Sequence, residues 1–159
     1  MAKSETEKLE QRAKNVLLFQ LSRSMKTRFQ LSEILKKREI PDEIAQAVLD
    51  RFTEAQLIDD GLFTAAYVRS RIENGRSSSA IKMELRRKGV AQHLIDENLA
   101  EIDSEVEQRI ANELAAQRYP RMERLEPEVR KRRLMGFLQR RGFSQAVASR
   151  AIRNASSQG

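Results

Sequence analysis

One ten-residue pattern recurs three times in this chain and restricts its fold more than any other feature. The segments are Leu31-Ser-Glu-Ile-Leu35-Lys-Lys-Arg-Glu39-Ile40, Ile81-Lys-Met-Glu-Leu85-Arg-Arg-Lys-Gly89-Val90 and Leu134-Met-Gly-Phe-Leu138-Gln-Arg-Arg-Gly142-Phe143. Aligning Leu35, Leu85 and Leu138 gives offsets of 50 and 53 residues. Each copy opens with an apolar pair four apart, which shares one helical face. Polar, mostly basic residues follow, then a helix-stopping position and one apolar residue. The register continues through Ile44, Leu94 and Val147 and on to Leu49, Leu99 and Ile152.

This pattern predicts a helix, a tight cap and a second helix. Gly89 and Gly142 suit the left-handed position past a helix C-terminus, where a β-carbon is costly. Glu39 departs from that rule, and Pro41 is expected to shape its turn instead. Ahead of each pair lies another amphipathic stretch: Ala13, Val16, Leu17 and Leu21; Phe63, Ala66, Tyr67 and Ser70; Val106, Ile110 and Leu114. Each module is then three helices in about 50 residues, too small to bury a core alone, so neighbours should stack. The expected fold is all-α: an elongated tandem array of three three-helix repeats. Its boundaries are a flexible N-terminal tail 1–10, repeats at 11–56, 57–103 and 104–154, and a C-terminal tail 155–159. Asn74 to Ser79 reads as a turn with a serine N-cap, Ser144 as another cap, and Pro127 as the first residue of a helix.

Charge is distributed unevenly. Residues 1–117 hold 19 basic and 20 acidic side chains, whereas residues 118–159 hold 11 basic and 3 acidic, so the last quarter carries the whole net charge of +7. Such asymmetry favours a polyanionic partner, because cations beside phosphates release condensed counterions. The triplets Lys36-Lys37-Arg38 and Arg86-Arg87-Lys88 and the pair Arg140-Arg141 recur in register. They complement helix dipoles and also form a periodic ladder of cations. Arg130-Lys131-Arg132-Arg133 covers most of a helical turn, so part of it must lie near the packed face or reach a partner. Arg69 and Arg71 read as rim residues, and Arg150 with Arg153 as cations of the last helix.

The inventory excludes much chemistry. With no cysteine and one histidine, disulfide scaffolds and thiolate metal sites have no material, nor has any Cys–His or Ser–His–Asp machinery that needs a second histidine. His93 has no companion ligand, and Asp59-Asp60 suits a helix cap better than a metal or acid–base pair. No phosphate loop, dinucleotide fingerprint or nucleophile elbow is present. Neither catalysis, a cofactor nor a metal is expected. Residues 1–14 lack the apolar stretch of a signal peptide, and the longest apolar run, Val16–Phe19, is far below the roughly 20 residues that span a bilayer. A cytoplasmic monomer is expected.

Leu85 to Val90 is also similar to the turn of a helix-turn-helix DNA reader. Its would-be recognition helices are acidic in two copies, with Asp42, Glu43, Asp50 and Glu54 after the first and Asp96, Glu97, Glu101 and Asp103 after the second. They would repel phosphate and suit a protein surface instead.

The stretch Leu57-Ile-Asp-Asp-Gly-Leu-Phe-Thr-Ala-Ala-Tyr-Val-Arg-Ser-Arg71, with Gly75, Ile81 to Val90 and Phe137-Leu-Gln-Arg-Arg-Gly-Phe143, resembles the signature of the RecX family of bacterial regulatory proteins. The likeness runs from about Ala13 to Arg153. Ser77 departs from it where many members carry a second glycine, and Gln30 replaces a common Glu. This resemblance implies tandem three-helix repeats and a modulator of RecA, the ATP-dependent recombinase that coats single-stranded DNA. Family members bind in the filament groove and inhibit extension, ATP hydrolysis, strand exchange and repressor cleavage. The partners expected are therefore the RecA filament and single- or double-stranded DNA. The alternative is a non-enzymatic helix-turn-helix DNA-binding protein acting without RecA.

Overall fold

In this computed structural model residues 4–158 are described. They form α1 (Glu5–Arg23), α2 (Arg28–Lys37), α3 (Asp42–Glu54), α4 (Asp60–Glu73), α5 (Ser78–Arg87), α6 (Gln92–Leu99) and α7 (Ser104–Arg118). A 3-10 turn (Tyr119–Met122), α8 (Pro127–Arg140) and α9 (Gln145–Gln158) complete the chain. No strand occurs among the described residues, so the fold is all-helical.

The caps explain where the helices start. Asp59 accepts the Leu62 N–H at 3.0 Å, Ser77 the Ala80 N–H at 3.1 Å and Ser144 the Val147 N–H at 3.2 Å. Thr27 and Gln30 form a reciprocal capping box, each side chain accepting the other's backbone N–H at 3.0–3.1 Å. Pro127 occupies the first turn of α8, where its missing N–H costs nothing.

Helices α2, α5 and α8 end in the same way. The residues past the cap, Glu39, Gly89 and Gly142, take φ values of 61°, 76° and 97°. Ile40, Val90 and Phe143 donate their N–H back to Leu35, Leu85 and Leu138 at 3.1 Å, and Glu39, Gly89 and Gly142 donate to Lys36, Arg86 and Gln139 at 2.9–3.0 Å. That is the Schellman pair of bonds. Glu39 therefore adopts the left-handed geometry of the two glycines, and the expectation that Pro41 replaces it is corrected. Pro41 instead stands at the start of α3.

The chain divides into two compact units: residues up to Ala66 with Leu85–Ile95, and Tyr67–Glu84 with residues from Asp96 on. In the first, α1, α2 and α3 enclose Ala13, Leu17, Leu31, Leu35, Ile40, Val48, Leu49 and Phe52. In the second, α7, α8 and α9 enclose Ala111, Ala115, Leu134, Leu138, Phe143, Ala148, Ala151 and Ile152. The facing alanines of α7 and α9 let those helices approach closely along their length. The buried stripes of α4 and α7 differ from expectation. Thr64 and Val68, then Ala111 and Ala115, are buried where Ala66 and Ser70 are exposed and Val106 is half-buried. Small residues mark the crossing point there, as Ala13 does in α1.

Expectations about the tails also change. Ser4 caps α1 and Leu9 packs on the first core, so the segment expected as a tail is helical from Glu5; residues 1–3 lie outside the described ones. Helix α9 continues to Gln158 because Ala155 is buried in the second core, and residue 159 lies outside the described ones.

Consecutive repeats meet through a recurring contact. Within the first unit, the Thr27 hydroxyl donates to the Lys88 carbonyl at 2.6 Å, and Asp60 accepts the Arg28 N–H at 2.9 Å. Within the second, Ser77 donates its N–H to the Arg141 carbonyl at 3.0 Å, and Glu107 accepts the Ser78 N–H at 3.2 Å. In both, the start of one repeat's second helix sits on the next repeat's Schellman turn. A carboxylate from the next repeat's first helix then completes the cap. Asp60→Ala should remove that capping bond and cost about 1 kcal/mol in urea unfolding; Asp60→Asn, which keeps an acceptor, should cost less.

Candidate partner-binding surface

The cationic positions of the three repeats lie on the last turns of α2, α5 and α8, just before the Schellman turns. Lys36, Lys37 and Arg38 are all exposed. Arg86 and Arg87 are exposed, with Arg86 donating to the Gln92 side chain at 3.2 Å, while Lys88 is half-buried. Arg140 is exposed, but Arg141 turns inward: it donates to the Asn74 carbonyl and lies 5.0 Å from the Phe137 ring. Burial, then the nearby Arg76, Arg118 and Arg71, lowers its pKa below the ordinary guanidinium value. Arg141 thus ties its turn to the 74–76 loop.

The run on α8 divides similarly. Arg130 stacks 3.4 Å from the Tyr119 ring centre and donates to the Tyr119 carbonyl at 2.9 Å. Lys131, Arg132 and Arg133 point into solvent. Lys131 and Arg132 join Arg153 of α9 along an open groove of about 380 Å³, floored by Met135 and Ile152. Arg150 is exposed on the same helix.

On α4, Arg69 is exposed, whereas Arg71 pairs with Glu84 at 2.6 Å, both side chains being about one-quarter exposed. Arg71 also lies 5.9 Å from the Tyr67 ring. Burial, reinforced by Glu84, raises the Tyr67 pKa above its usual 10.0. Of the fifteen cations singled out in the sequence, the structure leaves eleven exposed and engages Arg71, Arg130 and Arg141 internally, with Lys88 half-buried.

Acidic side chains face solvent on α3 and α6. Asp42, Glu43 and Glu54 are exposed, as are Asp96 and Glu97; Asp50, also exposed, pairs with Arg28 at 2.7 Å. His93 is exposed at the start of α6. Among the described residues no group of three His, Asp or Glu could hold a metal ion, and no helix is long and apolar enough to cross a membrane.

Sequence reasoning passed over one surface. Leu18 and Phe19 on α1 are about half exposed, and the four-residue apolar run Val16–Phe19 was the available signal, since no helix can turn four successive side chains inward.

Comparison with known proteins matches the three repeats one by one. Family models describing the first, second and third three-helix domains of RecX match residues 13–52, 59–99 and 105–152. The regulatory protein RecX of Streptomyces coelicolor is 42% identical over 146 residues, covering 91% of this chain and 78% of that one. That of Thermobifida fusca is 40% identical over 148 residues, covering 92% and 80%. A crystal structure of a regulatory protein RecX superposes with a TM-score of 0.75 at 29% identity, over 94% of this chain and 73% of that one. RecX from Lactobacillus salivarius gives 0.77 at 18% identity, over 95% and 99%, a likeness of fold. With its three repeats matched in order, this chain belongs to the RecX family of regulatory proteins.

Proposed function

We propose that this chain is an inhibitor of RecA that binds in the groove of the RecA–single-stranded DNA filament. There it limits filament extension, ATP hydrolysis and strand exchange, and with them RecA-driven DNA repair, recombination and SOS induction. It acts as a cytoplasmic monomer, supplying shape and charge, while RecA carries out the ATP chemistry.

The observation that carries this reading is the recurrence of exposed cations at one position per repeat, ahead of the same turn, beside third helices that are acidic in the first two repeats. Lys36 to Arg38, Arg86, Arg87 and Arg140, with Lys131 to Arg133, suit phosphate or acidic filament walls. The carboxylates of α3 and α6 suit the protein component. Several weak contacts on one chain act together at high effective concentration.

The test is RecA's DNA-dependent ATPase with this protein added at far less than one molecule per RecA. Strong suppression is expected, and activity that falls only at equimolar ratios would reject filament binding. A second reading, DNA binding without RecA, draws on exposed Arg150 and Arg153 of α9. It predicts preference for bare over RecA-coated DNA in titration.

A further inference from the structure

In the second and third repeats, one seat is filled by the repeat before. Gly89 lies against Phe29, and Asp60 caps Arg28. Gly142 lies against Ser77 and Ala80, Glu107 caps Ser78, and Leu114 lies so near Gly75 that an added β-carbon would meet it. The seat therefore consists of the Schellman turn and the outer face of the repeat's first helix. The register that superposes Ala111 and Ala115 on Ala13 and Leu17 carries Leu114 onto Val16. Gly89 and Gly142 correspond to Glu39.

In the first repeat this seat is an open groove of about 460 Å³, lined by Lys8, Arg12, Asn15, Val16, Phe19 and Arg38 among others. Glu39 makes it unsuited to another repeat, because its β-carbon occupies the position where Gly89 admits Phe29. Its composition fits another occupant. Lys8, Arg12 and Arg38 line it, and no carboxylate does among the described residues. Lys8 has a weak ion pair with Glu5 at 3.5 Å, both side chains largely exposed. Phe19 is 55% exposed, with the Arg23 guanidinium 5.5 Å from its ring.

We infer that this groove binds single-stranded nucleic acid, with a base stacked on Phe19 and phosphates held by Arg12 and Arg38. An exposed aromatic ring among cations is what an unpaired strand needs, since every base has a π-face and stacking ignores sequence. A duplex keeps its bases inside and has no use for Phe19. An acidic peptide would use the cations but gain little from a stacking platform. This deepens the filament reading by naming the strand contact, and rests on it only for where that strand is met.

Fluorescence anisotropy of the full chain with labelled oligothymidylate tests it. Phe19→Ala should weaken binding about tenfold and Phe19→Trp should retain it. Because Phe19 is half exposed, the melting temperature should hold. Arg12→Ala with Arg38→Ala should flatten the slope of log affinity against log salt by about 1.4. Unchanged affinity in Phe19→Ala, an unchanged slope in the double variant, or equal competition by duplex DNA or polyglutamate would overturn the inference. RecA ATPase measured on the same variants separates the two ideas. Strand binding lost in Phe19→Ala from a parent that leaves RecA's ATPase untouched supports the groove and rejects the filament reading. Full inhibition by a parent whose strand affinity ignores Phe19 does the reverse.

Discussion

Gly89→Ala should destabilise the chain by about 2–5 kcal/mol, and Gly142→Ala by a similar amount. Two independent costs act at each position. A left-handed backbone with a β-carbon costs roughly 1–2 kcal/mol, and φ is 76° at Gly89 and 97° at Gly142. The new methyl must also displace packed atoms, Phe29 Cβ and Cγ in one case and the Ser77 hydroxyl and Ala80 Cβ in the other. Overpacking of that kind adds about 1–3 kcal/mol. Glu39 shares the backbone angle, 61°, but is exposed. Glu39→Gly should thus be neutral or stabilising by up to about 1 kcal/mol, relief of φ strain outweighing the extra freedom of the unfolded chain. Urea unfolding with a constant m-value reads all three variants. If Gly89→Ala costs no more than the stability gap between Glu39→Gly and Glu39→Ala, which adds a β-carbon at the same angle without the neighbour, the steric account fails.

The second large effect separates two kinds of cation within four residues. Lys131→Glu, Arg132→Glu and Arg133→Glu together should weaken inhibition of RecA at least tenfold, because three exposed charges turn from attraction to repulsion. The fold should be little affected, since these side chains point into solvent. Arg130→Ala should do the opposite. It removes the stack on Tyr119 and the bond to its carbonyl, costing roughly 1–3 kcal/mol, while inhibition measured well below the melting temperature stays near that of the parent. Dose–response curves for RecA ATPase at two salt concentrations, beside thermal melts, resolve the pair. A triple variant as inhibitory as the parent at both salts would remove α8 from the interface.

Much of the fold was legible because it rests on local rules. The i, i+4 apolar pairs, the caps at Asp59, Ser77 and Ser144 and the glycine turns each follow from a few neighbouring residues. What escaped depends on partners distant in sequence. Nothing near Glu39 announces that its turn admits a β-carbon, since the reason is what fails to dock there. Ala111 and Ala115 carry little hydrophobicity, so the stripe of α7 was read from the larger Ile110 and Leu114, which flank the buried line. The cations were found by type, yet Arg130 and Arg141 spend their charge on Tyr119 and Asn74, contacts that only the folded chain creates. The capping box Thr27-Arg-Phe-Gln30 was readable by its spacing, but its long-range bond to Lys88 was not.

The seat between repeats has an evolutionary corollary. Were the gene segment for the second repeat copied in tandem, each daughter would bring a glycine turn able to receive its upstream neighbour, along with a Ser77-type start to offer the next. Copying the first segment would instead carry Glu39 into an interior junction, where its side chain obstructs closure. Lineages can therefore lengthen such a protein from the middle far more readily than from its front.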